Sequence, residues 1–508
     1  MTEQPDPNTG PSRRASALAG GAAGLLALAV LWALSQLTGL TSFPPFDLAE
    51  RLVRLTPGDV ATASIESLGH LGMPLFVGSV AAGVVGLAAA LPVLAARFGR
   101  SSTTAMVTFG VALGLMVVIK PSEELGVDTA IAALVGGAAY GVALRFAQRR
   151  PADTASGDAM SRRAALGVIG SAAVTLFVAG SIFGRLLNTG SPTAGTPIAT
   201  PDVPLRTPER SSFPKIPGME PEITSVADHY VVDIDVVDPI VDVDSWTLKV
   251  SGLVEQPREY DFEELQAAFP VIEQYSVLTC ISNEVGGPLI GNSAWRGIRL
   301  ADLLREVAPT AEADSVVFTC ADGYSVTVPL QRAMEPSNLV AFGQNGEPLS
   351  TAHGAPVRVR IPALYGMLNA KWLTGIELVS GEPSWYWSER GWSQTGVIKT
   401  QSRIDVVEPR AAGQAGRIAG IAWAGERGVQ RVQASVDDGK TWEDAKLREL
   451  LSPLSWTQWY IDWTPERAGA YTISCRAVDG AGEVQVALNT PPHPDGATGY
   501  QMVTQTIS

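Results

Sequence analysis

Long stretches without charged residues dominate the first 190 residues of the chain. Gly and Ala occupy the positions that would form the polar face of a soluble helix. The pattern predicts an N-terminal all-α transmembrane bundle within residues 1–187, and the alternative is a buried helical bundle of a soluble protein. Five runs, each close to the roughly 20 residues that a helix needs to cross a bilayer, lie at residues 17–37, 71–96, 101–119, 129–144 and 164–184.

Basic residues flank these runs unevenly. If five spans alternate, only four basic residues fall on one side of the membrane, and eight arginines fall on the other. Loops rich in Lys and Arg stay in the cytoplasm. The N-terminus is therefore predicted to be cytoplasmic, and the chain after residue 190 extracytoplasmic. The eight arginines are Arg13, Arg14, Arg97, Arg100, Arg149, Arg150, Arg162 and Arg163.

A pair of arginines stands directly before the fifth run, in the segment Ser161-Arg162-Arg163-Ala164-Ala165-Leu166. This segment is similar to the twin-arginine signals that send folded proteins across a membrane. The alternative is an ordinary cytoplasmic anchor. A cofactor that is loaded in the cytoplasm would require folded export, which favours the first interpretation.

The composition changes between residues 188 and 221, where eight prolines occur among Ser, Thr and Gly without an apolar period. Such a segment is typical of an extended linker. Beyond residue 190 the chain has 24 basic and 40 acidic residues, a net charge of −16. Affinity for nucleic acids requires clustered Lys and Arg. The acidic balance therefore argues against nucleic-acid binding.

Short segments of mixed period follow the linker and predict an α+β domain over residues 222–408. Asp261 and Glu264 form a capping-box pattern at the start of a predicted helix, and residues 300–307 predict another. No Gly-x-Gly-x-x-Gly fingerprint and no Walker loop is present, so a nucleotide cofactor is not indicated. The strands are predicted at residues 246–250, 315–319, 324–328, 357–361 and 375–378.

The last hundred residues alternate between apolar and polar positions, and turn residues recur about every ten positions. This spacing predicts an all-β immunoglobulin-like sandwich over residues 409–508. The predicted strands include residues 418–423, 429–436, 457–463, 471–477 and 484–488.

Cys280 is the strongest candidate for chemistry among only three cysteines. Cys320 and Cys475 lie in apolar strands, the usual setting of an inert buried thiol. Cys280 instead ends a strand, and polar residues and glycines follow it. Four scattered histidines and no Cys-x-x-Cys pair make a closed zinc site improbable. Two roles therefore remain for Cys280. It is either the single protein ligand of a soft metal or an ordinary packing residue.

A short basic stretch supplies the groups that an anionic ligand needs. The Arg358 guanidinium can bind a phosphate with two hydrogen bonds, and Lys371 adds a point charge. His353 can donate a hydrogen bond to a polar ring. Each of these residues alone would more often be an ordinary surface or hydrogen-bonded residue, so the prediction depends on their combination.

These motifs, in this order, resemble the molybdopterin-binding domain of the sulfite oxidase family. The resemblance spans roughly residues 221–508, and it implies that the C-terminal module corresponds to the family's dimerisation domain. It also implies that Cys280 ligates molybdenum and that Asn283, His353, Arg358 and Lys371 bind the molybdenum cofactor. The segments that carry it are Leu278-Thr279-Cys280, Trp295-Arg296-Gly297, His353-Gly354-Ala355-Pro356-Val357-Arg358, Pro362-Ala363-Leu364-Tyr365-Gly366 and Lys371-Trp372.

The predicted substrate side departs from the family pattern. Glu284 and Val285 follow Asn283, where sulfite oxidases have arginines. Another expected arginine is replaced near Asp233, and a tryptophan cluster containing Trp392 displaces the active-site tyrosine. Cys280, Asp233 and Trp392 are therefore the catalytic candidates, with domain packing as the alternative role of the tryptophans. An oxyanion is best held by guanidinium groups, so a neutral S-oxide or N-oxide fits this side at least as well.

The resulting hypothesis is a membrane-anchored, extracytoplasmic molybdopterin oxidoreductase that transfers an oxygen atom to or from a small substrate, a sulfur compound among the candidates. A separate electron-transfer partner is expected because the chain shows no further redox motif, and a homodimer through the C-terminal module is possible. One alternative is an S-oxide or N-oxide reductase resembling the periplasmic methionine-sulfoxide reductase. The other is a non-catalytic, membrane-tethered binding module with a vestigial cofactor site.

Overall fold

The computed structural model describes residues 12–38, 43–56, 60, 72–118, 127–148, 162–187, 197–203, 205, 213–234 and 238–508. The chain separates near residue 190 into two compact units. The first unit is helical and the second is rich in β-strands.

The described part of the first unit contains helices at all five predicted apolar runs. Three of them are long and apolar enough to cross a membrane, namely Arg13–Thr38, Leu75–Arg97 and Ala130–Gln148, and the other two have shorter apolar stretches. Their number as membrane spans stays a prediction. The helices are α1 (Arg13–Thr38), α2 (Pro44–Leu55), α3 (Gly72–Arg97), α4 (Ser102–Val118), α5 (Val127–Gln148) and α6 (Arg162–Leu187).

Two features of this unit differ from the predictions or lie outside them. The short helix α2 was not predicted, because its apolar residues alternate with charged ones such as Asp47 and Arg51. Of the twin-arginine segment, Ser161 lies outside the described residues, and α6 begins at Arg162.

Small residues allow close packing within the helical unit. A Cβ atom on Gly24 of α1 would lie only 2.4 Å from the side chain of Ala88 in α3. The Tyr140 hydroxyl of α5 donates a 2.7 Å hydrogen bond to the Ala88 carbonyl. Since close backbone approach is a common means of helix association in membranes, the Gly and Ala content of these runs has a packing role.

Two sheets and three short helices form the first part of the second unit. One sheet has the order β2-β1-β10-β5-β6, and the other has the order β3-β4-β7-β8 with β9 paired to β7. The strands are β1 (Thr247–Gly252), β2 (Arg258–Asp261), β3 (Val271–Thr279), β4 (Ile290–Arg299), β5 (Ser315–Cys320), β6 (Ser325–Pro329), β7 (Leu339–Gln344), β8 (Glu347–Pro348), β9 (Arg358–Arg360) and β10 (Leu373–Val379). The helices are α7 (Phe262–Ala268), α8 (Leu300–Glu306) and α9 (Leu330–Ala333).

The helices here are shorter than an α+β prediction suggests, so this part is better described as β-rich. The predicted capping box at Asp261 and Glu264 is confirmed, since each side chain accepts a hydrogen bond from the other's backbone N–H. The predicted strands of this region are also present.

Two four-stranded antiparallel sheets form the last part of the chain, with the orders β11-β12-β16-β15 and β14-β13-β17-β18. Both contribute to one buried core that includes Ile418, Trp459, Val432 and Ile473. The immunoglobulin-like assignment stays a prediction. The strands are β11 (Gln401–Val407), β12 (Gly416–Trp423), β13 (Val429–Ser435), β14 (Glu443–Asp444), β15 (Lys446–Leu447), β16 (Thr457–Trp463), β17 (Gly469–Asp479) and β18 (Met502–Ile507).

One predicted strand of this part is wrong. Residues 484–488 form only an isolated bridge, between Val484 and Val478. The alternation there exists because Gln485 points inward, where its side chain bonds Ser402 and Gly499. Of the predicted linker, residues 188–196, 204 and 206–212 lie outside the described residues.

Candidate functional site

Cys280 follows the last residue of β3 and begins a tight turn. Its N–H donates to the Leu289 carbonyl at 3.0 Å, and its own carbonyl accepts from the Asn283 N–H at 3.2 Å. The thiol is buried, and its Sγ lies 2.9 Å from the Ser282 Oγ. Burial raises the pKa of this thiol, although hydrogen bonds from Ser282 act in the opposite direction. A metal would therefore have to favour the thiolate, as metals do for coordinating thiols.

Asn283 fixes the turn that presents Cys280. Its side-chain oxygen accepts a 2.9 Å hydrogen bond from the Leu289 N–H. Gly287 packs against the same oxygen, where a Cβ atom would approach to 2.5 Å. The Asn283 Nδ2 group is buried and has no hydrogen-bond partner among the described residues. One buried donor thus remains free beside the thiol.

His353 and Arg358 are brought together in the structure. His353 ends a short 3₁₀ turn, and its Nε2–H donates to the Val226 carbonyl at 3.0 Å. Arg358 begins β9, and its guanidinium donates to the His353 and Asn369 carbonyls, each at 3.0 Å. The side chain is only 3% exposed. Within the described residues, Arg358 pairs with no carboxylate, and its Nε has no acceptor.

Lys371 and Asp233 form an ion pair beside this group. The Lys371 ammonium also donates to the Ala352 carbonyl at 2.9 Å, and Gly354, with a φ of +99°, lets the chain pack closely against it. Burial lowers the pKa of Lys371, and the charge of Asp233 partly offsets this. Burial also raises the pKa of the nearby Asp238. The predicted catalytic candidate Asp233 is therefore placed against a predicted cofactor-binding residue.

Trp392 lies elsewhere, in an apolar cluster with Ile281, Tyr365 and Trp423. Its ring meets the His493 ring edge-on at 5.1 Å. It is 6% exposed, and its Nε1–H has no acceptor among the described residues. Ile281 follows Cys280 directly, so this cluster reaches the metal-ligand candidate. Trp392 thus packs in a cluster with members from both parts of the second unit, among them Ile281 of the Cys280 loop.

Several residues of the site were not predicted. His229 is 3% exposed, and its ring lies 5.4 Å from that of His353. Burial lowers the pKa of His229 to about 3 and that of His353 to about 4. Burial also raises the pKa of Tyr230, which the nearby Cys280 raises further and Arg358 lowers. The charges of the thiol and of the arginine therefore both act on Tyr230.

Arg360 is another residue that sequence reasoning missed, and it is completely buried. A detectable signal was present: an arginine stands two positions after Arg358 inside the apolar strand pattern of residues 357–361. Alternate positions of a strand point to the same face, so both arginines were predictable as neighbours. Both guanidiniums lie over the Trp295 ring, at 5.3 and 4.7 Å from its centroid.

The arrangement fits an anionic, polar cofactor. Buried cations without carboxylate partners are rare unless another anion neutralises them. Donors without partners among the described residues include those of Asn283 and Arg358, which are predicted to bind the cofactor, and that of their neighbour Arg360. The described residues contain no group of three or more His, Cys, Asp or Glu suited to a metal. A metal on Cys280 would therefore need ligands other than a cluster of such side chains in the described residues.

Two family models match the second unit. Residues 235–387 match the "Oxidoreductase molybdopterin binding domain", and residues 392–490 match the "Mo-co oxidoreductase dimerisation domain". Both matches lie within the region in which the family resemblance was predicted.

Individual relatives give the same picture. The uncharacterized oxidoreductase YuiH of Bacillus subtilis is 32% identical over 155 residues, which cover 30% of this chain and 76% of that protein. The mitochondrial sulfite oxidase of Drosophila melanogaster is 32% identical over 242 residues, which cover 39% of this chain and 42% of that protein. The chain thus spans less than half the length of this sulfite oxidase.

A solved structure is similar in fold. The crystal structure of the sulfane dehydrogenase SoxCD from Paracoccus pantotrophus aligns with a TM-score of 0.50 at 21% identity. The alignment covers 64% of this chain and 98% of that chain. At this identity the match concerns the fold alone.

Proposed function

The chain belongs to the sulfite oxidase family of molybdenum-cofactor oxidoreductases, and we propose that it transfers an oxygen atom to or from a small substrate outside the cytoplasmic membrane. A sulfur compound is among the candidate substrates. The two electrons of the reaction would be exchanged with a separate protein, because the chain shows no second redox motif.

Arg358 is buried without a carboxylate partner in the part of the chain that the structure describes, and this observation supports the function best. A guanidinium that is 3% exposed and bonded only to carbonyls needs a compensating anion. The phosphate of the cofactor would supply it. Arg358 and Lys371 would bind this phosphate, His353 and Asn283 would donate hydrogen bonds to the pterin, and Cys280 would be the protein ligand of molybdenum.

The chain's own residues determine how such a cofactor is oriented. When bound, the molybdenum cofactor supplies two-electron oxygen-atom transfer. Ser282 lies within hydrogen-bond distance of the Cys280 sulfur and can donate to it, which weakens the basicity of the thiolate. Ile281, the residue after Cys280, belongs to a buried apolar cluster that also contains Trp392, and this cluster limits the access of water to the loop.

Metal and pterin analysis of the purified full chain tests this function. We expect close to one molybdenum and one pterin per chain after expression in a host that makes the cofactor. A preparation without either would instead support the non-catalytic binding module with a vestigial site. The Cys280→Ala variant separates ligation from pterin binding, since it should retain pterin while turnover is lost.

A second candidate function, an S-oxide or N-oxide reductase, rests on Trp392, which shares an apolar cluster with Ile281, the residue after Cys280. Glu284 and Val285 stand where an oxyanion-binding pocket would have arginines. The buried Trp392 Nε1–H offers one neutral donor, which matches the single oxygen of a neutral S-oxide. Dimethyl sulfoxide and trimethylamine N-oxide with reduced viologen dye, compared with sulfite and ferricyanide, would distinguish the two directions.

The membrane anchor and its orientation belong to the same proposal. Three helices are long and apolar enough to span a bilayer, and the uneven arginines favour a cytoplasmic N-terminus. Protease added to intact spheroplasts should therefore digest the second unit and leave the helices protected. Normal export of a cofactor-loaded Arg163→Gln variant would exclude the twin-arginine route.

Dimer formation through the C-terminal sheets is the remaining part of the proposal. The match of residues 392–490 to a dimerisation domain supports it. Analytical ultracentrifugation of the full chain in detergent should show two chains per particle.

A further inference from the structure

Arg360 is a buried charged residue without a role in the proposed function. Arg358 is predicted to bind the cofactor, but Arg360 is not. The residue is 0% exposed, and within the described part of the chain it forms no ion pair. Burial lowers its pKa to about 9, and the neighbouring charge of Arg358 acts in the same direction. The guanidinium is nevertheless protonated at neutral pH. A buried cation costs several kcal/mol unless the protein uses its hydrogen bonds or its charge.

The hydrogen bonds of Arg360 join two segments. One segment is β3, where its Nη2 donates to the Ser276 hydroxyl at 3.1 Å and to the Val277 carbonyl at 2.9 Å. These residues lie three and four positions before Cys280. The other is the loop after β9, which Arg360 reaches through the side-chain oxygen of Asn369.

Asn369 extends this connection. Its oxygen also accepts from the Ile361 N–H at 2.7 Å, and its Nδ2 donates to the Leu364 and Tyr365 carbonyls at 3.2 and 2.9 Å. Tyr365 packs in the same cluster as Ile281. One guanidinium therefore holds the strand that presents Cys280 against the loop that packs beside it.

Trp295 fixes the guanidinium from above. The Arg360 carbon lies 4.7 Å from the centre of the indole, and the indole Nε1–H donates to the Ser276 carbonyl at 3.1 Å. Ser276 is thus bonded through its hydroxyl to Arg360 and through its carbonyl to Trp295. Such support of a metal ligand by surrounding residues commonly determines its orientation and its electronic properties.

We propose that Arg360 is a positioning residue for the metal ligand: it fixes the end of β3 that presents Cys280, and it places a buried positive charge against that strand, three and four residues before the thiolate. This role rests on the proposed function, in which Cys280 binds molybdenum. A nearby cation stabilises the more negatively charged, reduced state of the centre. Loss of the cation should therefore shift the reduction potential to more negative values.

Three variants separate charge from geometry. Arg360→Lys keeps the charge and loses the forked hydrogen bonds, Arg360→Met loses both, and Ser276→Ala loses one bond while the charge stays. Arg476→Met is the matched control, since Arg476 bonds Gln433 and stacks on Trp442 in the C-terminal sheets, away from Cys280. Each full-length variant is measured for pterin content, for the Mo(V) signal in a redox titration, and for turnover of dimethyl sulfoxide and sulfite per bound molybdenum.

We expect Arg360→Met to shift the potential to more negative values and to lower kcat about 10- to 100-fold, the range found when support of a metal ligand is lost. Arg360→Lys and Ser276→Ala should keep the wild-type potential, alter the shape of the Mo(V) signal because the sulfur is reoriented, and lower kcat, while Arg476→Met should match the wild type. If Arg360→Met does not fold, the altered Mo(V) signal of the other two variants decides. Wild-type potential, signal and kcat in folded Arg360 and Ser276 variants would overturn the proposal.

The same experiment tests the proposed function separately from the role of Arg360. A wild-type protein with molybdenum and a Cys280-dependent Mo(V) signal confirms the ligand whatever Arg360 does. A wild-type protein whose signal is unchanged by Cys280→Ala would overturn the proposed function, and the role of Arg360 with it.

Discussion

Two groups of side chains near the Cys280 loop, a cationic side and an aromatic side, differ in their chemistry. The cationic side, defined by His353, Arg358 and Lys371, has buried charges whose hydrogen bonds go mainly to backbone carbonyls. The aromatic side, defined by Trp387, Trp392 and His493, has rings that meet edge-on, and the Trp392 Nε1–H has no acceptor among the described residues. Fixed charges suit a permanent anionic cofactor, and neutral donors among rings suit a substrate that exchanges. A family can thus keep the residues that bind the cofactor while the residues that bind the substrate differ.

Removal of the Cys280 sulfur should have the largest effect on turnover. Loss of a residue that merely supports a metal ligand costs about 10- to 100-fold, so Cys280→Ala should lower turnover by more than about 100-fold. Pterin should be retained, because the cationic side is intact. Fluorescence of the released pterin and steady-state turnover measure the two effects.

Cys475→Ala is the control for this variant, since Cys475 is a buried thiol in the C-terminal sheets. It should lose some thermal stability and keep full turnover per bound molybdenum. Full activity in the Cys280→Ala variant would show that Cys280 is not a metal ligand. The assignment of one side to a cofactor and the other to a substrate would then be wrong.

The cationic side was largely predictable from the sequence, and the aromatic side was not. Arg358 and Lys371 stand in a short motif with fixed spacing, so their proximity follows from local structure. The position of Trp392 depends on residues such as Trp423, which is more than thirty positions away and belongs to the C-terminal sheets. Such a contact is set by tertiary packing, for which the sequence has no local signal. The ion pair of Asp233 with Lys371 was missed for the same reason.

The second prediction concerns this ion pair on the cationic side. Asp233→Asn leaves Lys371 without its partner, and loss of one member of a buried pair costs about 3 kcal/mol or more. The cofactor-free protein should therefore unfold at a clearly lower temperature. In the loaded protein the cofactor's phosphate neutralises Lys371, so the loss should be smaller. Calorimetry of both forms measures this difference.

Asp228→Asn is the matched control, because Asp228 is exposed and bonds only Ser225 in the same segment. It should be neutral in both forms. An equal loss of stability for Asp233→Asn with and without cofactor would show that Lys371 does not bind the anion.

Acid should lower the free energy of unfolding through His353 of the cationic side and its neighbour His229. Burial lowers the pKa of His229 to about 3 and of His353 to about 4, from an ordinary value near 6.5. Below pH 6.5 the unfolded chain therefore binds more protons than the folded chain, and stability falls as the pH falls towards 4. Each histidine contributes up to roughly 1.4 kcal/mol per pH unit in this window.

Urea unfolding of the cofactor-free protein at several pH values measures this slope. The His229→Gln variant should flatten it by about half, since glutamine does not titrate. An unchanged slope in that variant would assign the acid sensitivity to other groups and leave His229 as a packing residue.

The aromatic side should respond least, and in a different parameter. Trp392→Phe keeps most of the packing and removes one N–H donor, and a neutral hydrogen bond is worth about 0.5 to 1.5 kcal/mol. If this donor holds the oxygen of an S-oxide, KM for dimethyl sulfoxide should rise about 3- to 10-fold while kcat changes little. Trp456→Phe is the control, since Trp456 belongs to the same cluster and its Nε1 also has no acceptor among the described residues. Equal KM changes in both variants would mean that Trp392 acts by packing alone, and the contrast between a cofactor side and a substrate side would then rest on the cations only.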